Sequence, residues 1–410
     1  MELEYCFPNL PELKNLRILV NNNNGKIRAS LQGNYSLRTW LIVKSYFIFH
    51  NKIGFLSKFN GGNVVSMYLP PMPSLSHARM FEAFLSSVLY KRLIPMAVTI
   101  GVTNSCQCSC VHCSAQGRSK TVPVMTIGEL KNVTQQCLDL GITNFTFTGG
   151  EPLLRTDLEE IISYISPKQA ISIVFTNALE LTTQRAHALK KAGLFGVHIS
   201  LDSSEPTEHN RLRGKKGAFL SVQEGVKNAL KVGLMVGIST YATREKALKH
   251  DILPIADLCA QWGVHEISVF DAIQTGKMKD QEGILLDRKA RQILLDDSNK
   301  INQKYKGKPR VITQTWTNTG KGFSRFIGCL AANWQFHITA QGDFTPCDFT
   351  PLSFGNIREE SVKNLWEKIL HHPAYCFRKQ TCRMQDTNFR SKYIKTIPKN
   401  VDLPYSIYKL

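Results

Sequence analysis

The chain has 410 residues, 43% of them hydrophobic, with 51 Lys and Arg against 32 Asp and Glu (net +19) and 11 cysteines. That length supplies two or three domains with real cores, and 20% charged residues at ordinary hydrophobicity excludes a disordered chain. No apolar run reaches the roughly 18 residues a membrane span needs, and Glu2 and Glu4 stand where a signal peptide would be basic, so a cytoplasmic location is expected. In a reducing compartment, clustered thiols argue for metal binding or redox chemistry rather than disulfides.

Residues 1–95 hold 11 basic and 4 acidic groups. Their stretch Trp40–Leu56 reads as an amphipathic, basic helix, suited either to packing against the following domain or to peripheral contact with a lipid surface. Pro70, Pro71 and Pro73 mark an extended linker into a second helix near Ser76–Arg92. From 97 to 270, apolar strands alternate with amphipathic helices. The strands are Ala97–Val102, Ile142–Thr148, Ala170–Thr176, Phe195–Leu201, Leu234–Thr240 and Val264–Phe270. Thr126 with Glu129 and Thr156 with Glu159 have capping-box spacing, and Gly141, Gly193, Gly233 and Gly263 end helices ahead of the next strand. Six such units predict an α/β fold with a parallel sheet closed partly into a (β/α)6 barrel, whose chemistry lies at the carboxyl ends of the strands. A polar helix near Leu286–Lys304 follows. A small cysteine-bearing region then begins near residue 323, with a hairpin about Gln341-Gly342-Asp343, a helix near Ser361–Leu370, and a basic tail expected to be irregular. The expected organisation is 1–95, an N-terminal helical extension; 96–310, the barrel; 323–385, the cysteine domain; and 386–410, the tail.

Directly after the first barrel strand, Cys106, Cys110 and Cys113 form C-x3-C-x2-C. Three thiolates on one short loop can hold three irons of a four-iron cluster and leave the fourth open to a small molecule, whereas structural zinc wants four ligands. Cys137 and Cys259 sit among helical apolar residues and read as inert buried thiols.

On these residues the chain resembles the radical S-adenosylmethionine (radical SAM) superfamily from about 95 to 385. The resemblance implies a 4Fe-4S cluster, S-adenosylmethionine at its open iron, and reductive cleavage to a 5′-deoxyadenosyl radical that abstracts hydrogen from a substrate. It implies an electron donor such as flavodoxin or ferredoxin. Thr148-Gly149-Gly150-Glu151-Pro152 resembles the family's glycine-rich motif at the methionine amine. Asn177, Ser200 and Asp202 fall where members contact the cofactor, with Arg244 a weaker match for its carboxylate; His112 resembles the residue common before the third cysteine. Cys108 reads as a loop thiol outside the triad. Cys329, twelve residues, Gly342, four residues, Cys347 resembles the opening of the auxiliary-cluster domain called SPASM, or Twitch in its shorter form. A full SPASM pattern continues with C-x2-C-x5-C-x3-C, while this chain offers only Cys376 and Cys382. One auxiliary 4Fe-4S cluster on Cys329, Cys347 and Cys382, with Cys376 as fourth ligand or none, is therefore expected.

Ser200-Leu201-Asp202 and Arg213-Gly214 resemble the branch containing peptide maturases, haem-pathway enzymes and molybdopterin-type cyclases. The substrate stays open between a ribosomally made peptide and a small molecule or lipid. Nucleic acid has only the basic charge in its favour. A non-catalytic iron–sulfur or zinc regulator would explain the thiols but not the matching cofactor positions.

Overall fold

A computed structural model describes residues 2–23, 25–115, 122–165, 170–314 and 328–410. The N-terminal extension is not purely helical as expected. It opens with a three-stranded antiparallel sheet in the order β1 (Glu2–Tyr5), β2 (Arg17–Asn23), β3 (Lys26–Gln32), so that β3 is an edge. Ile18 and Val20 of β2 point inward under α1 (Leu37–Ile53), capped by Ser36, and α2 (Leu75–Tyr90), capped by Ser74. Tyr5, Val43, Tyr46, Phe47 and Phe81 complete a core separate from that of the barrel. The stretch expected to pack on the barrel thus packs on its own sheet. Its outer face leaves Leu37, Leu41 and Ile48 exposed.

A hairpin of β4 (Ser57–Phe59) and β5 (Gly62–Val64) leads to a linker that closes the barrel floor. Met67 N donates to the Glu266 carboxylate (3.3 Å), Asn144 Nδ2 to the Tyr68 carbonyl (2.9 Å), and the Tyr68 hydroxyl to Ser268 Oγ (3.1 Å).

The barrel alternates β6 (Ala97–Thr103), α3 (Ile127–Leu140), β7 (Asn144–Gly149), α4 (Leu158–Ile165), β8 (Ile171–Thr176), α5 (Thr183–Lys191), β9 (Gly196–Ser200), α6 (Pro206–Arg213), α7 (Ala218–Lys231), β10 (Met235–Ala242), α8 (Arg244–Leu248), α9 (Ile252–Trp262), β11 (Glu266–Asp271), α10 (Arg288–Lys304) and β12 (Arg310–Thr313). The six strands expected from the alternation are all present, and β12 adds a seventh. They pair in parallel in the order β12-β11-β10-β9-β8-β7-β6, a sheet that curls without closing. Parallel strands covered outside by helices are buried on both faces, which is why Val98, Ile100, Phe145, Phe147, Val174, Val197 and Ile238 read as continuous apolar runs. Thr126 and Glu129 form the expected capping box, while Glu159 bridges Arg185 instead (3.0 Å).

The expected start of the cysteine domain at 323 lies outside the described residues. Its strand β13 (Gln335–Ile338) extends the barrel sheet by pairing in parallel with β6, then turns antiparallel into β14 (Phe344–Thr345). β15 (Leu352–Ser353) and α11 (Val362–His371) follow. The tail is not irregular: β16 (Tyr405–Ser406) pairs with β15, and Phe389 and Ile407 are buried. Phe336, Phe344, Leu365 and Trp366 share one apolar core with Val98 and Leu130, so the C-terminal region is fused to the barrel.

Candidate metal and cofactor site

The end of β6 turns at Thr103 into the thiol loop, and two neighbours fix that loop. On one side runs Gly149-Gly150: Gly150 N donates to Thr103 O (2.7 Å) and Glu151 N to Ser105 O (2.8 Å). A Cβ on Gly149 would lie 2.2 Å from Thr103 O, and one on Gly150 2.2 Å from Ser105 O, so only glycine permits this approach. On the other side, the end of α6 accepts two loop amides, Ser109 N to Arg213 O (3.0 Å) and Val111 N to Leu212 O (3.0 Å).

Held in this way, Cys106, Cys108, Cys110 and Cys113 sit within one loop at the carboxyl ends of the strands. Cys108, expected to be a bystander, lies between Cys106 and Cys110, within reach of both for its single S–H. Hydrogen bonding to it, helped by Arg213, holds those thiols down to about 6. The same two contacts push Cys108 up, and burial pushes Cys113 up. Asn177 Nδ2 faces Cys108 Sγ (3.5 Å) and Cys106 Sγ (3.8 Å), while its backbone N–H donates to Glu151 (2.7 Å). Burial raises Glu151 to about 7, against hydrogen bonds from Asn177, Thr176 and Leu153 that favour its charged form.

Asp202 is 1% exposed and forms an ion pair with Arg213 (Nε–Oδ2 2.7 Å); Arg213 Nη1 reaches Cys110 Sγ at 3.5 Å. His112 lies 3.6 Å from the same carboxylate, its ring 4.1 Å from that of Tyr241, and burial lowers it to about 4, so the imidazole is neutral near pH 7. Ser200 Oγ is 3.4 Å from Ser239 Oγ at the end of β9. Arg244 is half-exposed and bound to Asp287 (2.6 Å). Of the expected cofactor residues, Gly149, Gly150, Glu151 and Asn177 therefore meet the thiol loop, and Ser200 sits at a neighbouring strand end. Asp202 is spent on Arg213 and Arg244 on Asp287. Sequence reasoning singled out the Arg213-Gly214 pair but not its place against Cys110.

At the second site, Cys329, Cys347 and Cys382 converge. The Cys382 thiol donates to Cys329 and holds it at about 6, while burial pushes Cys347 up to about 12. Cys376 is exposed, with its thiol on the Pro373 carbonyl (3.8 Å), apart from the other three. Tyr375, 3% exposed, sets its hydroxyl beside Thr350, Cys329 and Cys347, and burial there pushes the phenol well above its usual range. Between the two thiol groups lies a small open cavity lined by Ser114, Thr275, His337, Asp348 and Thr350 and walled by Leu403-Pro404. Among the described residues, no three His, Cys, Asp or Glu side chains gather tightly enough for a single metal ion. Thiols spread around a loop, a glycine cradle and a buried phenol facing thiols suit clusters held at their corners.

Comparison with known proteins agrees. Residues 100–259 match the radical SAM superfamily, and residues 329–389 match the SPASM iron–sulfur cluster-binding domain. The AdoMet-dependent heme synthase of Nitratidesulfovibrio vulgaris is 25% identical over 289 residues, covering 66% of this chain and 78% of that protein. The probable GTP 3′,8-cyclase of Methanococcus maripaludis is 36% identical over 136 residues, 33% of this chain and 46% of its own. Streptococcus suis SuiB, solved with S-adenosylmethionine, shares the fold with a TM-score of 0.57 at 18% identity, over 85% of this chain and 84% of that one. The chain belongs to the radical SAM superfamily and carries a SPASM domain. It is an enzyme whose cofactors are S-adenosylmethionine with a 4Fe-4S cluster and an auxiliary iron–sulfur cluster. Among the described residues, no helix is long and apolar enough to cross a membrane.

Proposed function

We propose that this enzyme acts on a peptide or protein segment that docks on its N-terminal sheet. The observation that carries this reading is the edge of β3. Asn51 of α1 holds both the N–H and the C=O of Ile27 on that edge (2.8 and 2.7 Å), and strand alternation turns the same groups of Ala29 and Leu31 outward beside it. The exposed Leu37, Leu41 and Ile48 of α1 supply apolar contacts nearby. An extended segment adding a strand there would gain main-chain hydrogen bonds and side-chain burial together. The likeness to SuiB, also solved with its precursor peptide, covers 85% of the chain and so extends into the first 95 residues. A second reading, a small molecule, draws on the heme synthase relatives, whose match covers 66% of the chain.

In either reading, Cys106, Cys110 and Cys113 hold the first cluster, and Gly149, Gly150, Glu151, Asn177 and Ser200 shape the place of S-adenosylmethionine. When bound and reduced by an electron donor, these cofactors would supply hydrogen-atom abstraction from the substrate. The chain itself keeps the loop rigid and presents Ser114, Asp348 and Thr350 to the reacting group in the cavity.

To test the substrate, synthetic versions of short peptides encoded beside the gene are incubated with reconstituted enzyme and analysed by mass spectrometry. A mass change that requires S-adenosylmethionine, and an affinity at least tenfold weaker for Leu41→Glu with iron content as the folding control, is expected. Turnover of an iron porphyrin with every peptide unchanged would overturn the peptide reading. For the auxiliary cluster, Cys329, Cys347 and Cys382 are the ligands we propose. Cys382→Ala should lose up to about four irons per chain while Cys376→Ala loses none, as an iron assay on reconstituted protein will read.

A further inference from the structure

We propose that Arg213 is a positioning residue for charge at the first cluster, setting its reduction potential through Cys110. This rests on the reading of Cys106, Cys110 and Cys113 as ligands. Arg213 is 9% exposed, yet its guanidinium lies 3.5 Å from Cys110 Sγ across 103 residues of sequence. Its place is doubly fixed. Asp202 holds Nε at 2.7 Å, and the backbone at Leu212 and Arg213 accepts the Val111 and Ser109 amides of the thiol loop. Gly214 then turns against Ser109 with φ +59°, where a Cβ would lie 2.8 Å from Ser109 O. The arginine cannot drift without moving the loop.

The surroundings make it the cation that matters. His209 is buried and lowered to about 4, so it is neutral near pH 7. Lys246 Nζ donates to the Asp202 carbonyl (2.6 Å) and the exposed Lys277 Nζ to Ser109 O (3.3 Å), whereas Arg213 donates to a thiol. Tyr241 is held protonated by burial. A cluster gains one negative charge on reduction, and a buried cation hydrogen-bonded to one of its thiolates stabilises that state more than the oxidised one. Asp202 fixes the guanidinium and keeps the pair's net charge small.

The test is a redox titration of reconstituted enzyme followed by electron paramagnetic resonance. The first cluster's signal is identified as the one lost in the variant with Cys106, Cys110 and Cys113 all replaced by Ala. Arg213→Gln should shift that midpoint to more negative potential with iron content unchanged. Arg213→Lys, which keeps the charge but not the fork reaching both Asp202 and Cys110, should lie between the two. A merely structural role would lower iron content without this order. A wild-type midpoint in fully loaded Arg213→Gln overturns the proposal. If that variant does not assemble, a wild-type midpoint in Arg213→Lys does so. A signal that survives loss of all three cysteines overturns the ligand reading instead, and this inference with it.

Discussion

Replacing Cys106, Cys110 and Cys113 together by alanine should abolish 5′-deoxyadenosine formation and lower bound iron from about eight to about four per chain. The effect is all-or-none because the chemistry comes from the cofactor, and the protein contributes its placement and environment. The fold should survive. The loop's backbone is anchored through Thr103, Ser105, Ser109 and Val111, none of them a ligand, so the melting temperature before metal loading should move little. Cys108 provides the internal control. It lies between Cys106 and Cys110 but is absent from the triad, so Cys108→Ala should retain the iron. Loss of half the iron on Cys108→Ala alone would redraw the ligand set around the loop's central thiol.

What the sequence made legible follows from how periodic each region is. The barrel strands are uniform apolar runs because helices bury both of their faces, and β7, β9, β10 and β11 are each announced by a glycine ending the helix before it. The thiol loop and Gly149-Gly150 are contiguous motifs, so their chemistry is written locally. The N-terminal sheet is harder to read, since β2 and β3 alternate buried Ile18, Val20 and Ile27 with Arg17, Asn21, Lys26 and Arg28. In sequence the Asn24-Gly25 dipeptide between them is nonetheless a hairpin signal that outweighs this polarity. Long-range pairings left no local trace. Nothing near Arg213 says that its side chain ends at Cys110, and nothing in 386–410 says that Tyr405 will pair with Leu352. The same limit applies to Asp202, whose strand-end position suggests a cofactor contact until the buried arginine beside it is seen. At the auxiliary site, spacing left open whether Cys376 joins Cys329, Cys347 and Cys382, and packing separates its exposed thiol from Cys382, which faces Cys329.

Gly150→Ala should be severely damaging. Its Cβ would lie 2.2 Å from Ser105 O, 2.6 Å from Ser105 C and 2.7 Å from Asn104 O, all of them backbone atoms immediately before Cys106. No side chain can swing aside to relieve the overlap. Either Ser105 moves by an ångström or more, breaking the 2.8 Å bond from Glu151 N, or the strand end of β7 retreats and takes with it the Glu151 carboxylate that holds Asn177. Overpacking of this kind costs about 1–3 kcal/mol, and here the displaced atoms carry the first ligand. The expected outcome is a melting temperature lower by several degrees, loss of the first cluster's iron, and 5′-deoxyadenosine formation reduced at least a hundredfold. Gly128→Ala separates this from any general cost of removing a glycine. On the second residue of α3 its Cβ would meet only Thr126 Oγ1 at 3.9 Å, and alanine's helix propensity should leave stability equal or higher by up to about 1 kcal/mol. If Gly150→Ala matched Gly128→Ala in iron content and turnover, the thiol loop would have to be more compliant than its backbone contacts allow, and the glycine edge would lose its role as the wall that aligns Cys106 with Asn177.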